Sequence, residues 1–594
     1  MVNIQEHIKC QATDLLKKYW GYEYFRPDQL EVITNILLKK DAIVLFPTGG
    51  GKSLTFQIPA LILPHVTLVI SPLIALMDDQ VSDLKSRGIK AEALHSGKSY
   101  SHVERILDNC RWGNLKLLYI SPERVANERF QAQLLSISVS MVAIDEAHCI
   151  SQWGHDFRPS YLKIGEMCQY WPDVIKMALT ATATPRVIKD IELFGNLVKP
   201  QIFKKSSKRG NISLNVHLTE RKIDHLKKLI KSFEKVSAIV YVRNRRAVRQ
   251  LADLLANEGY VTAHYHAGLS FAQRQETQKK YMNGSLDIMC ATNAFGMGLD
   301  KSDVRQVIHF DIPPSIEEYV QEFGRAGRDG AFAEAHMIVN EEDKKFSIKK
   351  NKDKFPSFDL CRSIYIGLFN FFKIPLESGE GQVRSFDIID FSKKINLTVA
   401  QVYHGIQVLK KNEYISTFDQ RHKQSTAKIV VQIKELRKNE LSLSENLILS
   451  ALVRIYEGIL EYKVVIEVKQ ISQFCDLTLD DTLQILNKLK SQKWIDFYLE
   501  TEGERILFLH NRLPKSHFHI NIKRQNELKY NGSQMLQSIL DYVALSTCRS
   551  VNITQYFGEN KEVRCNICDN CKRENKAQNK TIDDSQNQLE EGMK

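Results

Sequence analysis

No run of apolar residues in this 594-residue chain approaches the roughly 20 that a bilayer-spanning helix needs, so no transmembrane helix and no membrane partner is expected. The opening MVNIQEHIKC lacks both a basic start and an apolar core, so no secretory signal is readable and a reducing cytoplasm is the expected compartment. Cysteine is sparse: eleven residues in this length exclude a disulfide-stapled miniprotein. An excess of acid is also missing. Lysine and arginine (82) outnumber aspartate and glutamate (70), a net +12 that suits a polyanionic partner. The composition, 43% hydrophobic and 26% charged, rules out wholesale disorder and supplies several cores, roughly three to five domains at this length. Only the tail after Cys571 is nearly free of apolar residues, and 576–594 is expected to be disordered.

Short apolar runs alternate with longer helical stretches over the first third: AIVLF (42–46), TLVI (67–70), LLYI (117–120) and MVAI (141–144). Such spacing predicts parallel strands joined by crossover helices. A basic break, KKSSKRGN (204–211), precedes a second series, AIVYV (238–242), DIMC (287–290), QVIHF (306–310) and AHMIV (335–339). Two α/β domains are therefore expected, at 1–203 and 204–345. The lysine-rich 344–354 reads as a solvated linker or surface helix. Beyond it lies a weak repeat offset by 80 residues: Leu397-Thr398 matches Leu477-Thr478, and Tyr414-Ile415 matches Trp494-Ile495. Each copy predicts a short helix, a Thr-capped amphipathic helix and a β-pair with a polar tip, DQRHKQSTAK (419–428) or ETEGER (500–505). That is the outline of a winged helix, giving modules at 346–440 and 441–515.

Three constellations carry chemistry. FPTGGGKS (46–53) follows the first strand. Thr48, Gly49, Gly50 and Gly51 would aim backbone N–H groups at phosphates, Lys52 would neutralise the β- and γ-phosphates of ATP, and Ser53 would ligate Mg²⁺. The strict pattern begins with glycine, and Phe46 stands there instead. At the tip of the MVAI strand, Asp145 can hold Mg²⁺ through water while Glu146 orients and deprotonates the attacking water. In QEFGRAGRDG (321–330), Arg325 and Arg328 fall three apart on one helical face. From there an arginine can reach the γ-phosphate on the first domain and couple hydrolysis to domain closure.

Further down, Cys548, Cys565, Cys568 and Cys571 have the C-x2-C-x2-C spacing, with one upstream ligand, of a tetrahedral structural Zn²⁺ site in a module at 516–575. An iron–sulfur cluster also takes four cysteines. After DEAHCI comes SQWGHDFRP (151–159), in which Trp153 and Phe157 can stack on bases and Arg158 can meet a phosphate or a facing carboxylate.

With these words stand YEYFRPDQ (22–29), SPLIALMDDQ (71–80), ISPERV (120–125), LTATAT (179–184), YHAGL (265–269) and ATNAFGMGLDKSDVR (291–305). The chain resembles a superfamily 2 helicase and specifically the RecQ family of DNA helicases, over about residues 12–340 and 520–571. The resemblance implies an α/β fold of two tandem RecA-like parallel-sheet domains, followed by winged-helix-like α+β modules and a small zinc-binding module. It implies that Gln29 reads the adenine edge with Tyr22 and Arg26 packing about the base. The aromatic-rich loop, with His148 and His155 beside Trp153, would link single-stranded DNA to the ATP site. TCRS and QYFGE around the thiols favour zinc over iron–sulfur. The implied activity is ATP-dependent 3′ to 5′ translocation with unwinding of duplex DNA, in recombination and repair. Single-stranded and branched duplex DNA are the implied substrates and a single-stranded-DNA-binding protein a partner, with the chain a nucleoid-associated monomer if bacterial. An RNA helicase and a DNA-structure-binding protein with a degenerate motor are the competing readings. One departure is of order: about 180 residues separate the motor from the zinc ligands, where RecQ enzymes usually place the zinc module directly after the core.

Overall fold

The computed structural model describes residues 2–47, 49–95, 100–154, 156–232, 237–296, 301–419, 425–430, 441–498, 504–559 and 563–577. The chain divides into two compact units, one built from 1–351 with 527–594 and the other from 352–526.

In the first unit, β1 (Ala42–Leu45), β2 (Val66–Ile70), β3 (Ala91–Leu94), β4 (Leu117–Ile120), β5 (Val139–Ile144), β6 (Ile175–Thr180) and β7 (Gln201–Lys204) form one sheet. Its order is β3-β4-β2-β5-β6-β1-β7, and every pairing is parallel. Successive side chains of a strand point to opposite faces. Thus Ile43 and Leu45 enter one helix-covered core with Val142 and Ile144, while Ala42 and Val44 enter the other with Met141 and Ala143. Burial on both faces is why these strands are continuous apolar runs rather than alternating ones. A second parallel sheet holds β8 (Ile212–Leu218), β9 (Ala238–Tyr241), β10 (Thr262–Tyr265), β11 (Ile288–Ala291), β12 (Gln306–His309) and β13 (Ala333–Val339), in the order β10-β11-β9-β12-β13-β8. The expected pair of parallel α/β domains is present.

The cysteine module packs on the second domain. Leu536, Ile539, Tyr542 and Val543 share a core with Tyr319 and Phe323, and the Tyr319 and Tyr542 ring centroids are 5.3 Å apart. Ser213 Oγ donates to Ile567 O at 2.7 Å, and the Val216 amide donates to Asp569 at 3.1 Å. Residues 352–526 are therefore an excursion, and in space the cysteine module adjoins the second parallel-sheet domain despite its distance in sequence.

The second unit contains two winged-helix modules whose third strands are exchanged. β14 (Val383–Phe386), β15 (Ile415–Asp419), β16 (Thr426–Ile429), β17 (Val464–Val465), β18 (Ile495–Tyr498) and β19 (Glu504–Phe508) form two antiparallel sheets, β14-β19-β15 and β17-β16-β18. The expected hairpins, β15 with β16 and β18 with β19, do not form. Instead Ile415 pairs with Phe508, and Ile429 pairs with Ile495. An inner module spanning Thr426–Tyr498 is nested in the wing of an outer one, and the middle strand of the outer sheet, β19, follows the inner module in the chain. The helical half of the repeat is as expected. Thr398 accepts from the Gln401 amide and Thr478 from the Asp481 amide, capping the helices Val399–Lys411 and Leu479–Ser491. The helix Glu341–Lys354 buries none of its residues, in keeping with a surface helix.

Candidate active site and cysteine centre

β1 ends in the glycine turn, and Lys52 opens the helix Lys52–Ile62. Gly49 and Gly51 both have φ of +76°, a left-handed backbone that costs glycine little. A Cβ at Gly51 would collide with the Gln29 amide, and one at Gly49 would lie 3.2 Å from Arg328 Cδ. Gln29 is 1% exposed; it accepts from the Arg26 amide at 2.8 Å and donates to Gly51 O at 2.9 Å. Arg26 Nη1 donates to Gly49 O at 2.5 Å. Arg26 and Gln29 thus brace the loop, while Tyr22 and Tyr24 stand 57% and 83% exposed at the mouth of a cavity of about 750 Å³.

Lys52 Nζ donates to Phe46 O at 3.0 Å. Burial lowers its pKa, and Glu146 and Asp145 pull it back up. Asp145 is pushed up to about 7, by burial first and Glu146 second, against the attraction of Lys52. Glu146 follows β5 with φ of +46°, a left-handed turn that lifts its side chain out of the strand line, and its amide donates to Asp145 Oδ1 at 3.0 Å. His148 Nδ1 lies 2.9 Å from Thr180 Oγ1 and 3.4 Å from Glu146 Oε2.

The two arginines diverge. The helix Ile316–Phe323 is capped by Gly324, so Arg325 and Arg328 lie in the turns that follow and not on one helical face as expected. Arg328 reaches over the phosphate loop at Gly49 and lines the cavity, whereas buried Arg325 donates to Gly296 O inside the second domain. Between the domains, Gln321 Nε2 donates to Thr182 Oγ1 at 3.1 Å.

In the aromatic loop, Trp153 is half-buried against the first-domain core, with the Arg186 guanidinium 2.9 Å from its ring centroid. The Trp153 amide donates to Ser151 Oγ at 3.1 Å, and Ser151 Oγ donates to Asp190 at 2.5 Å. Both anchors lie on the helix Pro185–Phe194, immediately after LTATAT. Arg158 meets a carboxylate, Asp156 at 3.0 Å, and its Nη1 donates to Pro72 O. Phe157 is half-buried. Thr48 and His155 lie outside the described residues.

Sequence reasoning missed Arg186, Asp190, Thr180 and Gln80. Gln80 Nε2 donates to Ser53 Oγ at 3.3 Å while its oxygen accepts from Tyr119 at 2.8 Å. The words SPLIALMDDQ and LTATAT contain or adjoin these residues, but only folding reveals what each touches.

The thiols of Cys548, Cys565, Cys568 and Cys571 lie within 4.8 Å of one another. The backbone amides of Cys565, Cys568 and Cys571 point at the sulfurs of Cys548, Cys565 and Cys568 at 3.3 to 3.5 Å, favouring thiolates. Four sulfurs at this separation can all bind one ion and leave no open coordination position, which is the donor set of structural zinc. Arg549, held by Asp569 at 2.6 Å and by Tyr542 O at 2.7 Å, supports the turn from beneath.

A phosphate loop and an acidic strand tip on one parallel-sheet domain, faced by an arginine from a second, make a candidate nucleotide site between two parallel-sheet domains. Residues 26–191 match the DEAD/DEAH box helicase family and 221–330 the helicase conserved C-terminal domain. Residues 427–499 match the RecQ helicase winged-helix domain of Bacteroidota, and 509–572 the RecQ zinc-binding domain. The first of these two coincides with the inner module. Segment by segment, the chain is thus similar to RecQ helicases. It is 44% identical to the ATP-dependent DNA helicase RecQ of Pasteurella multocida over 336 residues, 57% of this chain and 53% of that protein. The RecQ protein of Haemophilus influenzae is 44% identical over 56% of this chain and 54% of its own length, and that of Bacillus subtilis 41% identical over 56% and 57%. The chain thus spans about half the length of the curated relatives it matches.

Proposed function

We propose that this chain is an ATP-driven DNA helicase that moves 3′ to 5′ along single-stranded DNA, unwinds duplex and branched DNA, and serves recombination and repair. The observation that carries the reading is Arg328 of the second domain poised over Gly49 of the first, with Lys52, Asp145 and Glu146 lining the same cavity. Lys52 would leave the Phe46 carbonyl to meet the β- and γ-phosphates, and Arg328 would stabilise charge on the γ-phosphate when the domains close. Glu146 would take the proton of the attacking water, with His148 setting its orientation from Thr180.

The oxygen donors Ser53 and Asp145 suit a hard divalent ion, so they would hold Mg²⁺, which would supply charge neutralisation at the phosphates. Gln29, freed from Gly51 O, would read the adenine edge, with Tyr22 and Arg26 flanking the base. Trp153, Phe157, His155 and Arg158 would meet single-stranded DNA, and Arg325 would stiffen the second-domain side of the cleft. The four thiolates would hold Zn²⁺ for fold support alone. We assign the motor to 1–203 and 204–345 and the zinc module to 516–575. The chain acts as a monomer in the cytoplasm, at the nucleoid in a bacterium, alongside a single-stranded-DNA-binding protein.

ATP hydrolysis measured with single-stranded DNA and with RNA of the same length, together with unwinding of duplexes carrying a 3′ or a 5′ tail, tests the reading. Stimulation by DNA and unwinding from the 3′ tail are expected. Preferential stimulation by RNA, or no stimulation by either, would overturn it.

A further inference from the structure

Residues 205–211 join β7 of the first sheet to β8 of the second and lie outside every matched family segment. This linker is gripped from three sides. Lys205 Nζ donates to Pro27 O at 2.5 Å and stands 4.4 Å from the centroid of the Phe46 ring, at the head of the phosphate loop. Glu559 of the cysteine module accepts from Ser206 Oγ at 2.6 Å and from the Ser207 amide at 2.8 Å. On the second domain, Arg209 Nη1 donates to Gly324 O at 3.1 Å, and its Nη2 donates to Ala326 O at 3.1 Å and Gly327 O at 3.0 Å. Asn211 Nδ2 adds bonds to Gly327 O at 2.7 Å and to Ala331 O at 2.9 Å. Gly327 has φ of +55°, and a Cβ there would run into the Asn211 amide.

Arg328 directly follows Gly327, so the carbonyls that Arg209 holds belong to the turn that carries Arg328 over Gly49. A guanidinium has five N–H donors in one rigid plane and can span three carbonyls, whereas a lysine ammonium is a point charge without that fork. Gly324 closes the helix Ile316–Phe323, and the C-terminal end of a helix favours a cation. Burial lowers the pKa of Arg209, but a guanidinium keeps its charge at any ordinary pH, so the clasp does not depend on protonation. We propose that Arg209 is a positioning residue for ATP hydrolysis, clasping the turn 324–327 and so setting where Arg328 meets the γ-phosphate. This rests on the reading of Arg328 given above. Because the same linker is tied to Pro27 and to Glu559, the turn is held in register with the phosphate loop and the cysteine module as well as with its own domain.

The test is steady-state ATP hydrolysis by the full chain at saturating single-stranded DNA, for wild type, R209A, R209K, R328A and the R209A/R328A double variant. R209A should lower kcat by about 10- to 100-fold, the scale of displacing a catalytic group by about 1 Å. KM for ATP should stay unchanged, since Arg209 does not line the nucleotide cavity. R209K, which keeps the charge but not the fork, should fall between R209A and wild type. Because Arg209 acts through Arg328, the double variant should be no slower than R328A alone. Wild-type kcat in R209A, a rise in KM with kcat unchanged, or a loss that persists in full when Arg328 is already gone would overturn the assignment. Should R209A not fold, R209K and R209K/R328A decide in the same way. A kcat below wild type that adds nothing to R328A is expected, and equality with wild type or full additivity overturns the assignment. Wild-type hydrolysis by R328A overturns the reading of Arg328 instead.

Discussion

Replacing Trp153 by alanine separates DNA binding from its coupling to hydrolysis. Stacking of one base on an aromatic side chain is worth about 1–3 kcal/mol. In the folded protein the ring faces the Arg186 guanidinium, 2.9 Å from its centroid. Such a contact is worth about 0.5–2 kcal/mol and is surrendered when a base takes that face. The net gain is about 1 kcal/mol, so Trp153→Ala should weaken single-stranded DNA binding only about fivefold. Arg186→Ala should tighten it by a similar factor, because it frees the ring in advance, and the double variant should behave like Trp153→Ala alone. Hydrolysis without DNA should be unaffected in all three. Hydrolysis at saturating DNA should fall more than tenfold in Trp153→Ala, because the loop also carries Ser151 and the backbone leading to Glu146. Binding and hydrolysis are to be read on the same samples across one DNA titration. Equal stimulation of Trp153→Ala and wild type at saturation would show that Trp153 is core packing, and an Arg186 effect that survives in the double variant would refute the competition.

Glu146→Gln should keep ATP and DNA binding while turnover falls by two or more orders of magnitude, about what losing a positioned general base costs; near-normal turnover in a steady-state assay would remove Glu146 from that role. Gln29→Ala should raise KM for ATP and erode preference over GTP, and because Gln29 also braces Gly51, kcat should fall with both nucleotides; unchanged selectivity would leave it only the bracing part. Cys568→Ala should lose the metal, leaving the 527–577 region protease-sensitive, as expected where metal binding is coupled to folding; iron, or no metal at all, in elemental analysis of the wild type would contradict zinc. Burial first, then His336 and His225, hold His217 down at about 4. Unfolded, it titrates near 6.5 and binds the extra proton, so the stability of the second domain should decline as pH falls from about 6.5 to 4, by at most about 3 kcal/mol. His217→Gln should flatten that decline in urea melts across the range, and an unaltered pH dependence would show that other groups set it.

The two parallel-sheet domains and the candidate nucleotide site were legible in the sequence because their signals are local. A glycine turn between a buried strand and a helix, and two carboxylates at a strand tip, each occupy a few consecutive residues, so the chain itself brings their groups together. The four thiols were legible for the same reason. The arginine pair was misplaced by one feature that was also local: Gly324 follows Phe323 directly and ends the helix, which turns Arg328 toward the phosphate loop and Arg325 into Gly296. The clamp on Trp153 was out of reach, since Arg186 stands 33 positions away and nothing in TATPRV marks it as a ring partner. Strand pairing in the winged-helix region was out of reach too. Ile415, Ile429, Ile495 and Phe508 are all apolar inward-facing residues with no preference among themselves, so the pattern specifies strands but not partners.

That exchange of partners dictates an order of assembly. Bringing Ile415 to Phe508 closes about 90 residues of chain where a hairpin to Ile429 would close about 14, an entropic handicap of about 1.6 kcal/mol for a disordered loop. Most of that cost is met in an earlier step if Ile429 and Ile495 meet first, because the finished inner module holds the two ends of the outer wing side by side. Closure is therefore cheapest when the inner module forms first, and residue 508 must be present before the sheet begun at residue 383 can be completed. A chain cut anywhere between leaves the outer module without its middle strand, so the two modules stand or fall together.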